Sequence, residues 1–194
     1  MATKKPRSLD RSGWIDAARE TLIEGGIRSV RIEPLARRLG VTTGSFYWHF
    51  KKLGDLLAAL AQDWEARNST GLFRAVAEAG PDPIGQVNAL VDVWIEEHDF
   101  SPAYDSAMRD WARQNGEIEA RVRRIDNRRI AVLRNIFLAL GYDAPEAFIR
   151  ARVTYFHQVG YYAMRITESK ARRRQLKPLY LRTLIGRRVP TKKN

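Results

Sequence analysis

Apolar side chains recur along this chain at intervals of three and four residues and seldom alternate with polar ones, so the pattern predicts helices almost throughout. Over 10–24 the stripe is Trp14, Ile15, Ala18 and Leu22, stopped by Gly25 and Gly26. Two short helices follow within 35–50. A long one spans 55–79, with Leu56, Leu57, Leu60, Trp64 and Leu72 at helical spacing, and Gly80-Pro81-Asp82-Pro83 is the clearest breaker in the chain. Beyond it, 84–96 turns Val87, Leu90, Val91 and Trp94 inward, and a turn at Asp99-Phe100-Ser101-Pro102 leads to a short helix over 103–113. Asn115-Gly116 breaks the pattern again before 118–140, where Val122, Ile125, Ile130, Leu133, Ile136 and Phe137 recur and Gly141 suits a C-terminal cap. Asp143, Pro145 and Glu146 supply a capping acceptor, a first-turn proline and a capping-box glutamate ahead of 147–167. A last amphipathic piece over 173–185 precedes a polar tail. The expectation is an all-α chain of about nine helices, three in an N-terminal head and six in a body.

The stretch from Leu35 to Phe50 carries the most chemistry. In its first piece Leu35, Ala36 and Leu39 share one face, Arg37 and Arg38 point elsewhere, and Gly40 sits where a helix C-terminus needs positive φ. Thr42 then stands as an N-cap whose hydroxyl is expected to accept a backbone N–H near residue 45. The next turn offers Thr43, Gly44, Ser45, Tyr47, Trp48 and His49, with only Phe46 and Phe50, four apart, to anchor it. Tyr47, His49 and Lys51, with Lys52 beside them, suit phosphate oxygens along one groove edge. Thr43 and Ser45 are short enough to approach base edges or a thymine methyl, and Gly44 lets the backbone come close. A plainer reading has Thr42 to Ser45 merely capping a helix and Trp48 in the core. Trp48 is expected to pack or to flank a phosphate rather than to read a base.

Val41-Thr42-Thr43-Gly44-Ser45-Phe46-Tyr47-Trp48-His49-Phe50-Lys51, followed by Asp55-Leu56-Leu57, resembles the signature of the TetR (tetracycline-repressor) family of one-component transcriptional regulators. The resemblance is specific over about Trp14 to Leu60 and general beyond it. Thr43 and Gly44 occupy positions that vary in the family and help to set operator preference. Leu53 stands where a lysine commonly starts the fourth helix, and Pro34 lies in the first turn of the second, where a missing N–H is harmless. The resemblance implies a helix-turn-helix DNA-binding domain over 9–55 behind a basic arm at 1–8. It further implies a ligand-binding and dimerisation domain over 56–186, with 56–79 as the connecting helix and 187–194 as the tail. Its implied partners are double-stranded operator DNA, a partly apolar small-molecule inducer and a second copy of the chain.

Composition narrows the alternatives. With no cysteine there is no disulfide framework, thiolate metal site or cysteine nucleophile, and a reducing cytoplasm is the natural compartment. No apolar leader and no membrane-length apolar run is visible, so no membrane partner is expected. The net charge of +12 favours polyanions, but the surplus is shared between the first 55 residues and the rest, so charge alone is a poor guide. Lys4, Lys5, Arg7 and Arg11 form the local basic arm. His49, His98 and His157 stand apart without metal-ligand spacing, and nucleophile-elbow and P-loop patterns are absent, so neither a metal, a cofactor nor an enzyme is expected.

Two readings compete for the body's aromatics. They fill a helical core, or some of Trp94, His98, Phe100, Tyr104, Met108, Trp111, Phe137 and Tyr161 line a cavity for an apolar ligand, which the family resemblance implies and periodicity does not show. Val153, Phe156, Val159, Gly160 and Ala163, followed by Leu176, Leu179 and Tyr180, mix small and large apolar residues in a way that suits a dimer of two helices per subunit. The reading that follows is a homodimeric repressor released from a palindromic operator by a ligand. Its rivals are a non-specific architectural nucleic-acid-binding protein and a basic lipid carrier.

Overall fold

A computed structural model describes residues 10–186. The basic positions Lys4, Lys5 and Arg7 and the polar tail over 187–194 lie outside them. The helices are α1 (Arg11–Gly25), α2 (Ile32–Leu39), α3 (Thr43–Tyr47), α4 (Leu53–Glu78), α5 (Pro83–Glu96), α6 (Pro102–Ala112), α7 (Gly116–Ala139), α8 (Ala144–Ala163) and α9 (Lys170–Ile185), with a short 3-10 turn at Ile27–Ser29. The all-helical fold expected from periodicity is the one observed.

Side-chain caps fix several boundaries. Asp10 accepts the Gly13 N–H at 2.9 Å, Asp82 accepts those of Ile84 and Gly85, and Asp143 accepts that of Glu146 at 2.8 Å. Glu146 itself turns to Arg150 at 2.9 Å instead of completing a capping box. At the end of α7 the N–H of Gly141 returns to Leu138 and that of Tyr142 to Phe137, with Gly141 at φ 87°, which closes the helix as the sequence suggested. Helix α8 stops at Ala163, short of residue 167, because Arg165 takes a left-handed φ of 53°. The next helix then begins at Lys170 under the Ser169 hydroxyl, earlier than the pattern indicated. Pro178 sits inside α9 and removes one donor from its ladder.

The chain forms two compact units, one running to Trp64 and including Ala103–Glu119, the other made of Glu65–Pro102 and the chain from Ala120. The division falls at Trp64, inside α4 and past the expected boundary at residue 56, and α6 joins the first unit. The cause is local: the Tyr104 hydroxyl donates to the Leu60 carbonyl at 2.7 Å, and the Trp64 indole donates to Asp105 at 3.3 Å. Tyr104, Met108 and Trp111, one turn apart on α6, are therefore buried in this unit. Its core also holds Trp14, Ala18, Leu22, Leu35, Phe46, Phe50, Leu56, Leu60 and Trp64.

The second unit buries Leu72, Val87, Leu90, Trp94, Phe100, Leu133, Ile136, Phe137, Tyr155 and Ile185. Several polar groups inside it are tied down. Asn68 clamps Ser101 from both sides, its amide donating to the Ser101 carbonyl at 2.9 Å and its oxygen accepting the Ser101 N–H at 3.1 Å. The buried Arg129 donates to the Asn68 carbonyl at 2.9 Å and to the Tyr155 hydroxyl at 3.0 Å, which in turn donates to Asp126 at 2.6 Å. Gly71 lies against this loop, where a Cβ would come within 2.1 Å of the Asp99 Cβ.

Candidate nucleic-acid interface

Helix α2 buries Leu35 and Ala36 and leaves Leu39 half-buried; it ends at Gly40, whose φ of 67° and ψ of 29° are left-handed. The chain turns there and enters α3 with Thr42 extended at the N-cap. The expected side-chain cap is absent: the Ser45 N–H goes to the Thr42 carbonyl at 3.0 Å, and the Thr42 hydroxyl makes no capping bond. The hydroxyls of Thr42 and Thr43 thus stand at the surface, beside the exposed Gly44 and half-buried Ser45.

Phe46 anchors the segment. It is fully buried, meets Trp14 edge-on at 5.3 Å between ring centroids and stacks on Phe50 at 5.4 Å. Helix α3 is short, and the N–H groups of His49 and Phe50 both return to the Phe46 carbonyl in a closing turn. Tyr47 is 59% exposed and Trp48 87%, so Trp48 is no core residue; with Phe46 and Phe50 holding the inner side, it has no apolar surface left to cover. His49 is half-buried, and Lys51 and Lys52 are exposed. Arg11, expected in the basic arm, is the first residue of α1 and lies over the Phe50 ring at 4.8 Å.

The start of α4 adds a donor end. Asp55 accepts the Lys52 N–H at 3.2 Å, and the first N–H groups of this 26-residue helix begin next to Lys51 and Lys52. Arg38 is held away from this surface by Glu20 at 2.9 Å and Glu24 at 2.6 Å, and the guanidinium holds the Glu24 carboxyl below its usual pKa. The arrangement presents hydroxyls, a phenol, an indole, an imidazole and two ammonium groups on one short segment with a rigid aromatic root. Such a set can grip phosphates and approach base edges.

Residues 15–60 match the family described as bacterial regulatory proteins, tetR family. This N-terminal region is similar to the DNA-binding region of TetR-family regulators. Over 71 residues it is 39% identical to the tetracycline repressor protein class D of Escherichia coli, covering 37% of this chain and 33% of that protein. Over 48 residues it is 46% identical to the HTH-type transcriptional regulator SrpR of Pseudomonas putida, covering 24% and 22%. The matched region is thus about a third of the length of the class D repressor. A crystal structure described as a TetR-family transcriptional regulator from Rhodococcus sp. superposes with a TM-score of 0.60 at 18% identity, covering 90% of this chain and 98% of that one, which extends the shared fold past the head.

The eight residues expected around a ligand are divided between the two units. Tyr104, Met108 and Trp111 lie in the first unit; Trp94, Phe100 and Phe137 join the core of the second, and His98 is exposed. Of the eight, Trp94 and Tyr161 line one cavity, bounded by α5, α8 and α9. Its polar lining, Thr154, His157, Gln158, Glu168, Arg173 and Lys177, escaped sequence reading. Along the expected dimer stripe Val153, Phe156, Ala163, Leu179 and Tyr180 are exposed. Gly160 and Leu176 are half-buried, and Val159 packs partly on the chain's own core. Among the described residues no helix is long and apolar enough to cross a membrane, and no group of three or more metal-ligating side chains gathers.

Proposed function

We propose that this chain is a sequence-specific DNA-binding transcriptional regulator, a homodimeric repressor released from a palindromic operator by a small, partly apolar ligand. The observation that carries the reading is the pairing of a buried aromatic root, Phe46 and Phe50, with the open face of Thr43, Gly44, Ser45, Tyr47 and Trp48. A segment folded only for stability would not leave Trp48 in water. Tyr47, His49, Lys51 and Lys52 hold phosphates and set the register, while Thr43 and Ser45 discriminate among bases. The repressor role accords with the name of the Escherichia coli relative.

Dimerisation is supported by exposed apolar side chains at Ile149, Val153 and Phe156 on α8 and at Leu179 and Tyr180 on α9, a contiguity unusual on a monomer surface. A two-fold dimer presents two reading segments to successive major grooves, about 34 to 36 Å apart or a multiple. A ligand that favours a different spacing shifts the population away from the operator.

Selection of bound fragments from a random duplex library tests the DNA reading. Recovery of a palindromic consensus is expected, whereas uniform recovery governed by salt alone is the outcome for an architectural protein and would overturn it.

A further inference from the structure

The cavity between α5, α8 and α9 encloses about 50 Å³, room for three or four waters, and opens on one side towards solvent, so that a larger molecule can enter in part. Its walls are mostly apolar and aromatic: Trp94 and Ile95 from α5, Tyr161 from α8, Leu181 from α9. His157 and Tyr180 stand beside each other at its edge, their rings 4.9 Å apart. Two buried polar groups in this lining lack a partner. Thr154 and Gln158, one turn apart on α8, are 2% and 8% exposed, and the Thr154 hydroxyl and the Gln158 amide nitrogen have no protein partner. An orphaned buried donor costs about 1 to 3 kcal/mol, so two at one site in an apolar wall ask for an occupant.

The charged side chains around the cavity already have partners. Arg173 pairs with Glu97 at 2.6 Å, Lys177 with Asp92 at 2.8 Å, and Glu168 accepts the Tyr161 hydroxyl at 3.1 Å. Burial lowers the pKa of His157 and keeps the ring uncharged near neutrality. An anionic ligand would find no unpaired cation to offset its lost hydration, and the carboxylate without an ion-pair partner in the lining, Glu168, already accepts the Tyr161 hydroxyl.

We propose that this cavity, lined by Thr154 and Gln158, is the binding site for a neutral, single-ring molecule carrying one carbonyl oxygen. The hydroxyl and the amide donate to that oxygen while Trp94, Tyr161 and Leu181 cover the ring. The inference deepens the ligand half of the proposed function, on which its regulatory meaning rests, but it is read without DNA.

The test is calorimetry and thermal melting of the full chain with acetophenone, with α-methylstyrene, which replaces the carbonyl oxygen by a methylene, and with benzoate. Acetophenone is expected to raise the melting temperature and to bind about tenfold or more tighter than either comparator. In Thr154→Val/Gln158→Met that preference is lost, and the ligand-free variant melts no lower than the parent, because two orphaned donors have been removed. Equal binding of acetophenone and α-methylstyrene by the parent chain, or binding of neither, overturns the proposal without any variant. So does a double variant that keeps the preference. A chain that failed to select DNA would leave these results intact, and failure here leaves the DNA selection to be judged by itself.

Discussion

Gly71 shows how one absent side chain places a loop. Alanine is the better helix former by about 1 kcal/mol, yet its Cβ would have to share space with the Asp99 Cβ, 2.1 Å away, and the Asp99 carbonyl, 3.0 Å away. Gly71→Ala is therefore expected to destabilise the chain by about 1 to 3 kcal/mol, seen as an earlier midpoint in urea, because the packed loop has to shift. A neutral or stabilising result would mean that the loop moves freely. Caps give a second contrast at this scale. Asp143→Ala removes a made bond to the Glu146 N–H and should cost about 1 kcal/mol, whereas Thr42→Ala removes none and should leave stability within about 0.5 kcal/mol.

Among the elements, α3 and α8 expose what they would use. Tyr47→Phe, His49→Ala and Lys51→Ala should weaken binding to all duplexes, whereas Thr43 and Ser45 variants should change the preferred sequence by about 1 to 3 kcal/mol per lost base contact. Equal losses on specific and random DNA throughout would contradict this division. Phe156 is half exposed in the single chain, so Phe156→Glu should leave folding intact while sedimentation reports monomer in place of dimer. What was legible beforehand follows from range. The α3 anchor was readable because Phe46 and Phe50 lie four apart on one turn, and the Asp143 start because cap, proline and glutamate are contiguous. The placement of α6 was not readable, since it depends on Tyr104 reaching Leu60 and Trp64 reaching Asp105, partners more than forty positions away. The same holds for Asn68 with Ser101, and for the Thr154 and Gln158 cavity, whose walls come from three helices together. Whether Trp48 packs or faces outward was not readable, since an aromatic residue is ordinarily buried and only the fold shows that Phe46 and Phe50 fill the core beneath it.

For the molecule as a whole, acid stability should fall in two stages. Hydrogen bonds from the Ser12 hydroxyl and the Gly13 N–H depress Asp10, those from Arg38 depress Glu24, and those from Arg174 depress Glu96. Their contribution is complete above the ordinary carboxylate range and is lost as pH falls through the lower folded values. His157 is depressed by burial, so its term begins earlier, as the pH falls below its ordinary 6.5 and the unfolded imidazole takes up protons that the folded one refuses. Melting temperatures should thus decline gently below pH 6.5 and more steeply below about 4. His157→Gln should remove the first stage, and added salt should blunt the exposed carboxylate part of the second. The indole of Trp48 offers a different handle. Trp14, Trp64, Trp94 and Trp111 are all at most 5% exposed, while Trp48 is 87% exposed on the face that would meet DNA. A neutral quencher such as acrylamide should therefore reach one emitter of the five, and a bound duplex should close that access, so the unlabelled protein reports its own docking through the red edge of its fluorescence.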